Sequence, residues 1–393
     1  MICLMSPTNC KLKLVLCSLS ATIFLMAGLE LILRMAGFEF HAPAFIPPSP
    51  SCMVLRSCNN DSRGLFEKKG SLLSVRKEYS GWFQAQDFPE KKPKDEFRVF
   101  ILGGSVIYNL YGEMASSYSD AGGMRVRIIN IGGNSFGTTR LLPLFNEITG
   151  YDPDMVIVYS GHNEFVDIVI TNSIIREILP RQEMREILRR SRVSELVEMA
   201  VYKTGMSLMG TRKRHTNEVV RYFSSMLPPG TDKNKIYGVY RENIISMVQK
   251  ARARNILLRL STVAYNRALP PVRPDGARIM HKNAMELVRG GKYKEAFTML
   301  DKALDEEEIP VSANETSNGI IRDIAGKYKM PLLDVDAAVV ARAPGGIPGN
   351  ETFLDHCHFI DGRFLGELFQ KEIHSAIVKR KKIKPLRKLP SRA

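Results

Sequence analysis

Residues 97–105, Phe-Arg-Val-Phe-Ile-Leu-Gly-Gly-Ser, decide how the rest of the chain is read. Val99, Phe100, Ile101 and Leu102 run without a charged break into Gly103, Gly104 and Ser105. A short apolar run ended by glycines predicts a strand buried on both faces, as in a parallel sheet. The glycines allow a sharp turn and a close approach. The turn places Ser105 at a strand's carboxyl end, where open α/β sheets carry their chemistry. Strand–Gly–Gly–Ser is also an ordinary turn, so its meaning depends on the rest of the chain.

Working outward, 124–131 (MRVRIINI), 155–159 (MVIVY), 255–260 (NILLRL) and the short 332–335 read as further strands. Helical patterns at 141–149, 240–252 and 320–329 lie between them. This alternation predicts a three-layer α/β/α, flavodoxin-like arrangement around a parallel sheet of about five strands. Two stretches interrupt it. Residues 166–239 are mostly helical in pattern and mixed in charge: a surface helical pair, a lid, a membrane-facing element or a seat for a protein partner. Residues 283–305 space Ala284, Leu287, Gly291, Tyr293, Ala296, Leu300 and Ala303 like one tetratricopeptide-type hairpin. One such unit cannot bury its own face, so it packs on the main domain or caps it.

The 393 residues, 44% hydrophobic, suffice for one large domain with appendages. Leu14–Leu33 is apolar until Glu30, follows Lys11 and Lys13, and approaches the roughly 20 residues that span a bilayer. No Ala-x-Ala site follows it, which favours an uncleaved signal-anchor with the bulk of the chain extracytoplasmic. The expected organisation is an anchor over 1–37, a stalk and irregular lead-in over 38–94, the main domain over 95–378 and a basic tail over 379–393. The net charge of +15 is concentrated partly in that tail. No basic–aromatic stripe or zinc spacing accompanies it, so nucleic acid is not an expected partner. Cys52 and Cys58 either close a small loop or stay as free thiols.

Residues 353–359 read Phe-Leu-Asp-His-Cys-His-Phe. Asp355 and His358, three apart, can face one side of a loop or first helical turn. Such a pair can orient an imidazole as base for a serine hydroxyl. An oxyanion needs donors: Asn163 offers a side-chain amide, and the Gly132–Ser135 turn offers backbone N–H groups. His356 reads as structural or exposed, and Cys357 as packed inward. Alternating His–Cys–His on one loop is poor tetrahedral geometry, so no metal is expected.

Gly-Gly-Ser at 103–105, the glycine turn at 132–137, Gly-His-Asn-Glu at 161–164 and Asp-His-Cys-His at 355–358 resemble the four blocks of the SGNH (GDSL-like) hydrolases. The resemblance covers about 97–378. It is closer still to a bacterial membrane-anchored subgroup with helical-repeat content, through INIGGNSFGTTR, VIVYSGHNEF and GIPGNETFLDHCHF. It implies Ser105 as nucleophile, His358 as base, Asp355 as its orienter, and no metal or organic cofactor. It implies an oxyanion hole from Ser105, Asn163 and one N–H among Gly132 to Ser135. Two departures stand out: Gly104 where Gly-Asp-Ser has its carboxylate, and Ser135 where many relatives carry a second glycine. Gly104, His162 and Asn266 are candidate substrate contacts, with a plain loop role open for Asn266 and Arg267. The expected function is ester hydrolysis on a small molecule or a cell-surface carbohydrate. The alternatives are an O-acyltransferase acting on an exported polysaccharide and a non-catalytic scaffold of a surface-polymer assembly.

Overall fold

The computed structural model describes residues 7–38, 64–79, 82–110, 117–119, 124–171, 191–193, 196 and 232–383. The chain divides into two compact units, Met1–Asn60 with Ile170–Arg212, and Asp61–Val169 with Lys213–Ala393.

In the first unit, helix α1 (Pro7–Met35) carries the apolar stretch. Its Ile23, Phe24, Leu25 and Leu31 are exposed. Glu30 pairs with Arg34 at 2.7 Å and accepts hydrogen bonds from the Ser191 hydroxyl (2.8 Å) and the Val193 N–H (2.9 Å). The expected membrane span is not supported, because no helix among the described residues is long and apolar enough to cross a membrane. Most of 166–239, the Cys52–Cys58 pair and the tail beyond 383 lie outside the described residues.

The second unit opens with a small antiparallel sheet of β1 (Phe66–Lys69), β2 (Leu72–Val75) and β3 (Asp87–Pro89). This corrects the irregular lead-in expected over 38–94. The strands are short and half polar (Phe-Glu-Lys-Lys in β1), so they show little alternation. Phe66 and Phe88 nonetheless stack edge-on at 5.0 Å and are buried.

The main sheet comprises β4 (Glu96–Gly103), β5 (Ser117–Ser119), β6 (Arg125–Gly132), β7 (Met155–Tyr159), β8 (Leu257–Ser261) and β9 (Leu332–Leu333). Its order is β5-β6-β4-β7-β8-β9, with only β5 antiparallel. The five parallel strands are the expected ones; the edge strand β5 is an addition. Every residue of β4 is buried, as a central parallel strand requires.

Successive side chains point to opposite faces. Phe97, Val99, Ile101, Met155, Ile157 and Tyr159 share one core with Phe369 and Ile373 of α10 (Arg363–Ile383). On the other face lie α3 (Thr138–Ile148) and α5 (Lys233–Ala253), the latter burying Tyr240, Ile244, Met247 and Val248. The helix α10 runs past the expected boundary at 378 to Ile383.

The chain leaves β4 to β6 on one side and returns to β7 on the other, so the carboxyl end of β4 is a switch point. There Ser105 starts the short α2 (Ser105–Asn109). A helical hairpin, α6 (Asp275–Arg289) and α7 (Tyr293–Asp305), precedes α8 (Glu315–Lys327) and α9 (Val335–Val340). It starts at Asp275, ahead of the expected 283, because Pro274 stands at its N-cap and Ala277 and His281 join its buried stripe.

Candidate active site

The loop between Phe353 and Phe359 is closed by a bridge between those residues, whose rings lie 4.9 Å apart. Within it, one Asp355 oxygen accepts from the N–H groups of Cys357 and His358, both at 2.9 Å. The other lies 2.7 Å from His358 Nδ1. His358 Nε2 lies 2.7 Å from Ser105 Oγ. The three residues thus form one unbroken hydrogen-bonded line. A carboxylate on Nδ1 fixes the tautomer with the acceptor nitrogen toward the serine. Burial opposes ionisation of Asp355, but the His358 hydrogen bond, the nearby His356 and the two N–H groups outweigh it and hold the carboxyl well below its ordinary range.

Gly104 leaves no room for a side chain beside Asn163. A Cβ on Gly104 would stand 2.3 Å from Asn163 Nδ2 and 3.2 Å from the Phe136 carbonyl. That carbonyl accepts one Asn163 amide hydrogen at 3.1 Å, which aims the amide and leaves its second hydrogen for another acceptor. Gly104 is therefore packed against Asn163 and the Phe136 carbonyl.

The turn after β6 separates its N–H groups. Gly132 N–H donates to Asn130 Oδ1 (2.8 Å), Gly133 N–H to the Gly103 carbonyl (2.9 Å), Asn134 N–H to the Trp82 carbonyl (3.3 Å) and Phe136 N–H to the Gly133 carbonyl (3.1 Å). Among the N–H groups of 132–136, that of Ser135 alone has no partner among the described residues, and Ser135 sits in the left-handed region at φ 62°. Gly132, one of the candidate oxyanion donors, is thus already committed. A Cβ there would lie 2.1 Å from the Tyr108 nitrogen, so its role is to let α2 approach β6.

The other candidates separate as follows. Asn266 Nδ2 donates to the Asp355 carbonyl (3.0 Å) and to Asn350 Oδ1 (2.9 Å), and its N–H donates to the His356 carbonyl (3.0 Å). It holds the loop that carries Asp355 and His358. Arg267 is fully buried between Asp301 (2.8 Å) and Asp336 (3.0 Å). It faces no open site. His162 is buried, with Nδ1 accepting from the Ala313 N–H at 3.2 Å. Burial, with His356 and His358 nearby, keeps it neutral by pushing its pKa well down. His356 is buried and not exposed, and burial lowers its pKa too. Cys357 is buried, with its thiol pushed up by burial, so it is no ready thiolate.

Asp355, Cys357 and His358 offer ligand atoms within 4.8 Å of one another. Both His358 nitrogens and both Asp355 oxygens already have partners, so this donor set does not point to a metal.

Glu164 is a satisfied carboxylate at the turn after β7. It accepts from the Thr138 N–H (3.1 Å), the Thr138 hydroxyl (2.6 Å) and the Ser160 hydroxyl (3.0 Å), tying α3 to α4 (Glu164–Thr171) beside Asn163. Burial and the nearby Asp167 push it up to about 7.

No protein-family model matches the chain, and no curated protein matches it. Solved structures that resemble it include a GDSL-like lipase from Bacteroides thetaiotaomicron, 12% identical, covering 74% of this chain and 93% of that one at a TM-score of 0.36. The acetyl xylan esterase AlAXEase is 14% identical over 70% of this chain and 98% of its own, at 0.36. The acetylxylan esterase Axe2 of Geobacillus stearothermophilus is 12% identical over 70% and 93%, at 0.35. At TM-scores of 0.35–0.36 these carry nothing beyond that likeness.

Proposed function

We propose that this chain is a serine ester hydrolase acting through an acyl-enzyme on Ser105. The observation that supports this reading is the line from Ser105 Oγ through His358 to Asp355, with both links at 2.7 Å. As Oγ attacks the ester carbonyl, His358 Nε2 takes its proton. Asp355, held as carboxylate, stabilises the imidazolium. The tetrahedral oxyanion takes hydrogen bonds from the Ser105 N–H, the Ser135 N–H and the free Asn163 amide hydrogen. Collapse returns the proton from His358 to the departing alcohol. Water, deprotonated by the same imidazole, then attacks the acyl carbon, and collapse breaks its bond to Ser105 Oγ, which takes the proton back from His358 as the acid leaves.

Ser105 supplies an N–H because the first residues of a helix have no intrahelical acceptor. Ser135 supplies one because its left-handed conformation turns it away from the pairing that occupies its neighbours.

A fluorophosphonate probe on the chain, followed by peptide mass spectrometry, tests this reading. Label is expected on Ser105, abolished by Ser105→Ala and reduced by about 10³-fold or more in rate by His358→Ala, since triad members act as a unit. Folded protein that takes no label at Ser105 overturns the reading.

The substrate we propose is an O-acyl ester on a carbohydrate, and we propose that the chain associates with a membrane through α1. The exposed apolar side chains of α1 support the membrane association. Carbonate extraction of membranes tests it: the chain should stay in the pellet, and release into the supernatant counts against anchoring.

A further inference from the structure

Two donors of the proposed oxyanion hole sit on different turns, Ser135 after β6 and Asn163 after β7. Such donors act through preorganisation, so the spacing between the two turns has to be held. One buried ion pair joins them. Arg140 of α3 and Asp167 of α4 have fully buried side chains. Arg140 Nε donates to Asp167 Oδ1, and the Arg140 N–H donates to Oδ2 at 3.1 Å. Arg140 Nη2 donates to the Ser135 carbonyl. On the other side, the Asp167 N–H donates to the Asn163 carbonyl at 2.7 Å. The guanidinium also lies 4.3 Å from the ring of Phe136, the residue whose carbonyl accepts the Asn163 amide. A Cβ on Gly137 would come within 2.8 Å of Asp167 Cβ and 2.9 Å of the Asn163 carbonyl oxygen, so the two turns are packed together at this point.

A buried ion pair adds little net stability, because desolvation of both charges offsets their attraction. Ser135 gives this one another role. At φ 62° it carries a side chain in a region that such residues rarely occupy, and a conformation of that kind persists only where its surroundings hold it. The same conformation leaves the Ser135 N–H without the partners its neighbours have. The planar fork of Arg140 can grip a carboxylate and a carbonyl at once, which the single ammonium of a lysine does poorly.

We infer that Arg140 and Asp167 are positioning residues for the oxyanion hole. Asp167 fixes the guanidinium, the guanidinium holds the Ser135 carbonyl and with it the left-handed turn, and the Asp167 N–H ties the start of α4, with Asn163, to the same clamp. Neither side chain touches the reacting atoms; each acts through the two donors. The inference rests on the serine hydrolase reading.

The rate of fluorophosphonate labelling at Ser105 tests it, resolved into kinact and KI on the full chain, with a melting curve for every variant. Arg140→Lys keeps the charge opposite Asp167 but not the fork, and should lower kinact about tenfold or more. Arg140→Met/Asp167→Asn leaves no buried charge unpaired and should lower it about 10²-fold, the scale of one lost donor. KI should stay within about threefold in both, because the interaction lost is one made at the transition state. Adding Asn163→Ala to the paired variant should cost less than about threefold more, since the same hole is already impaired. Folded variants that label at the wild-type rate, losses that multiply with that of Asn163→Ala, or two variants that both fail to fold overturn the inference and leave the hydrolase reading standing. A wild-type chain that is folded and takes no label overturns the hydrolase reading, and the inference with it.

Discussion

Gly104 leaves no room for a side chain where the Asn163 amide must stand, with 2.3 Å to Nδ2 from the position a Cβ would take. The atom it would strike ends a side chain that can swing away, so Gly104→Ala should move the melting temperature little. It should lower kcat by about 10²-fold, the scale of one lost oxyanion donor. Asn163→Ala should cost a similar factor, and the double variant little more than either, because both remove the same donor. Multiplying losses in ester hydrolysis assays would show instead that Gly104 acts elsewhere.

At this scale the sequence pointed to the residues that the structure brings together around Ser105. Ser105, Asn163, Asp355 and His358 each sit in a short polar stretch after an apolar run or in the last loop. The third donor of the proposed oxyanion hole was not legible. Which N–H of 132–135 stays unpaired depends on Asn130, Gly103 and Trp82 as acceptors, and those pairings exist only once β4, β6 and the lead-in have met.

Among the elements, the hairpin α6–α7 is fastened by charge as much as by its apolar stripe. Arg267, on the loop after β8, pairs with Asp301 of α7 and Asp336 of α9, and lies 4.1 Å from the Tyr265 ring and 4.6 Å from that of Phe297. Removing it strands two buried carboxylates. Arg267→Ala should cost about 3–5 kcal/mol in urea denaturation, and Asp336→Asn less, since Asp301 remains to balance the guanidinium. Equal, small losses would mean that water already reaches the cluster. The helical period of 283–305 was visible because its apolar positions repeat every three or four residues. Its fastening was not, since the partners of Arg267 are 34 and 69 residues away. The β1–β3 sheet was missed for a related reason: strands of 3 or 4 residues are too short to show alternation.

For the molecule as a whole, two buried carboxyls set a pH dependence. Burial pushes both Glu164 and Glu307 up to about 7 from 4.5. Between those values the folded chain binds more protons than the unfolded one, so their contribution to stability falls as pH rises from about 4.5 to 7. Asp355, held low, acts oppositely: its contribution is present above the usual aspartate range and fades in acid. Glu307 accepts the Val272 N–H at 2.7 Å, and Glu307→Gln can keep that bond through its carbonyl oxygen without carrying charge. Wild type should therefore lose more stability than Glu307→Gln between pH 5 and pH 8, by chemical denaturation. Parallel curves for the two would show that Glu307 is ionised without penalty.

Ser105 and His358 stand 253 positions apart in the chain, yet touch through one hydrogen bond. A ribosome makes the hydroxyl long before the imidazole that would draw off its proton. Throughout that interval β7, β8 and β9 are still being added to the sheet. On the proposed mechanism the unfinished polypeptide is chemically silent toward esters, and reactivity switches on only when the last loop docks. The labelling of Ser105 thus also times the end of folding.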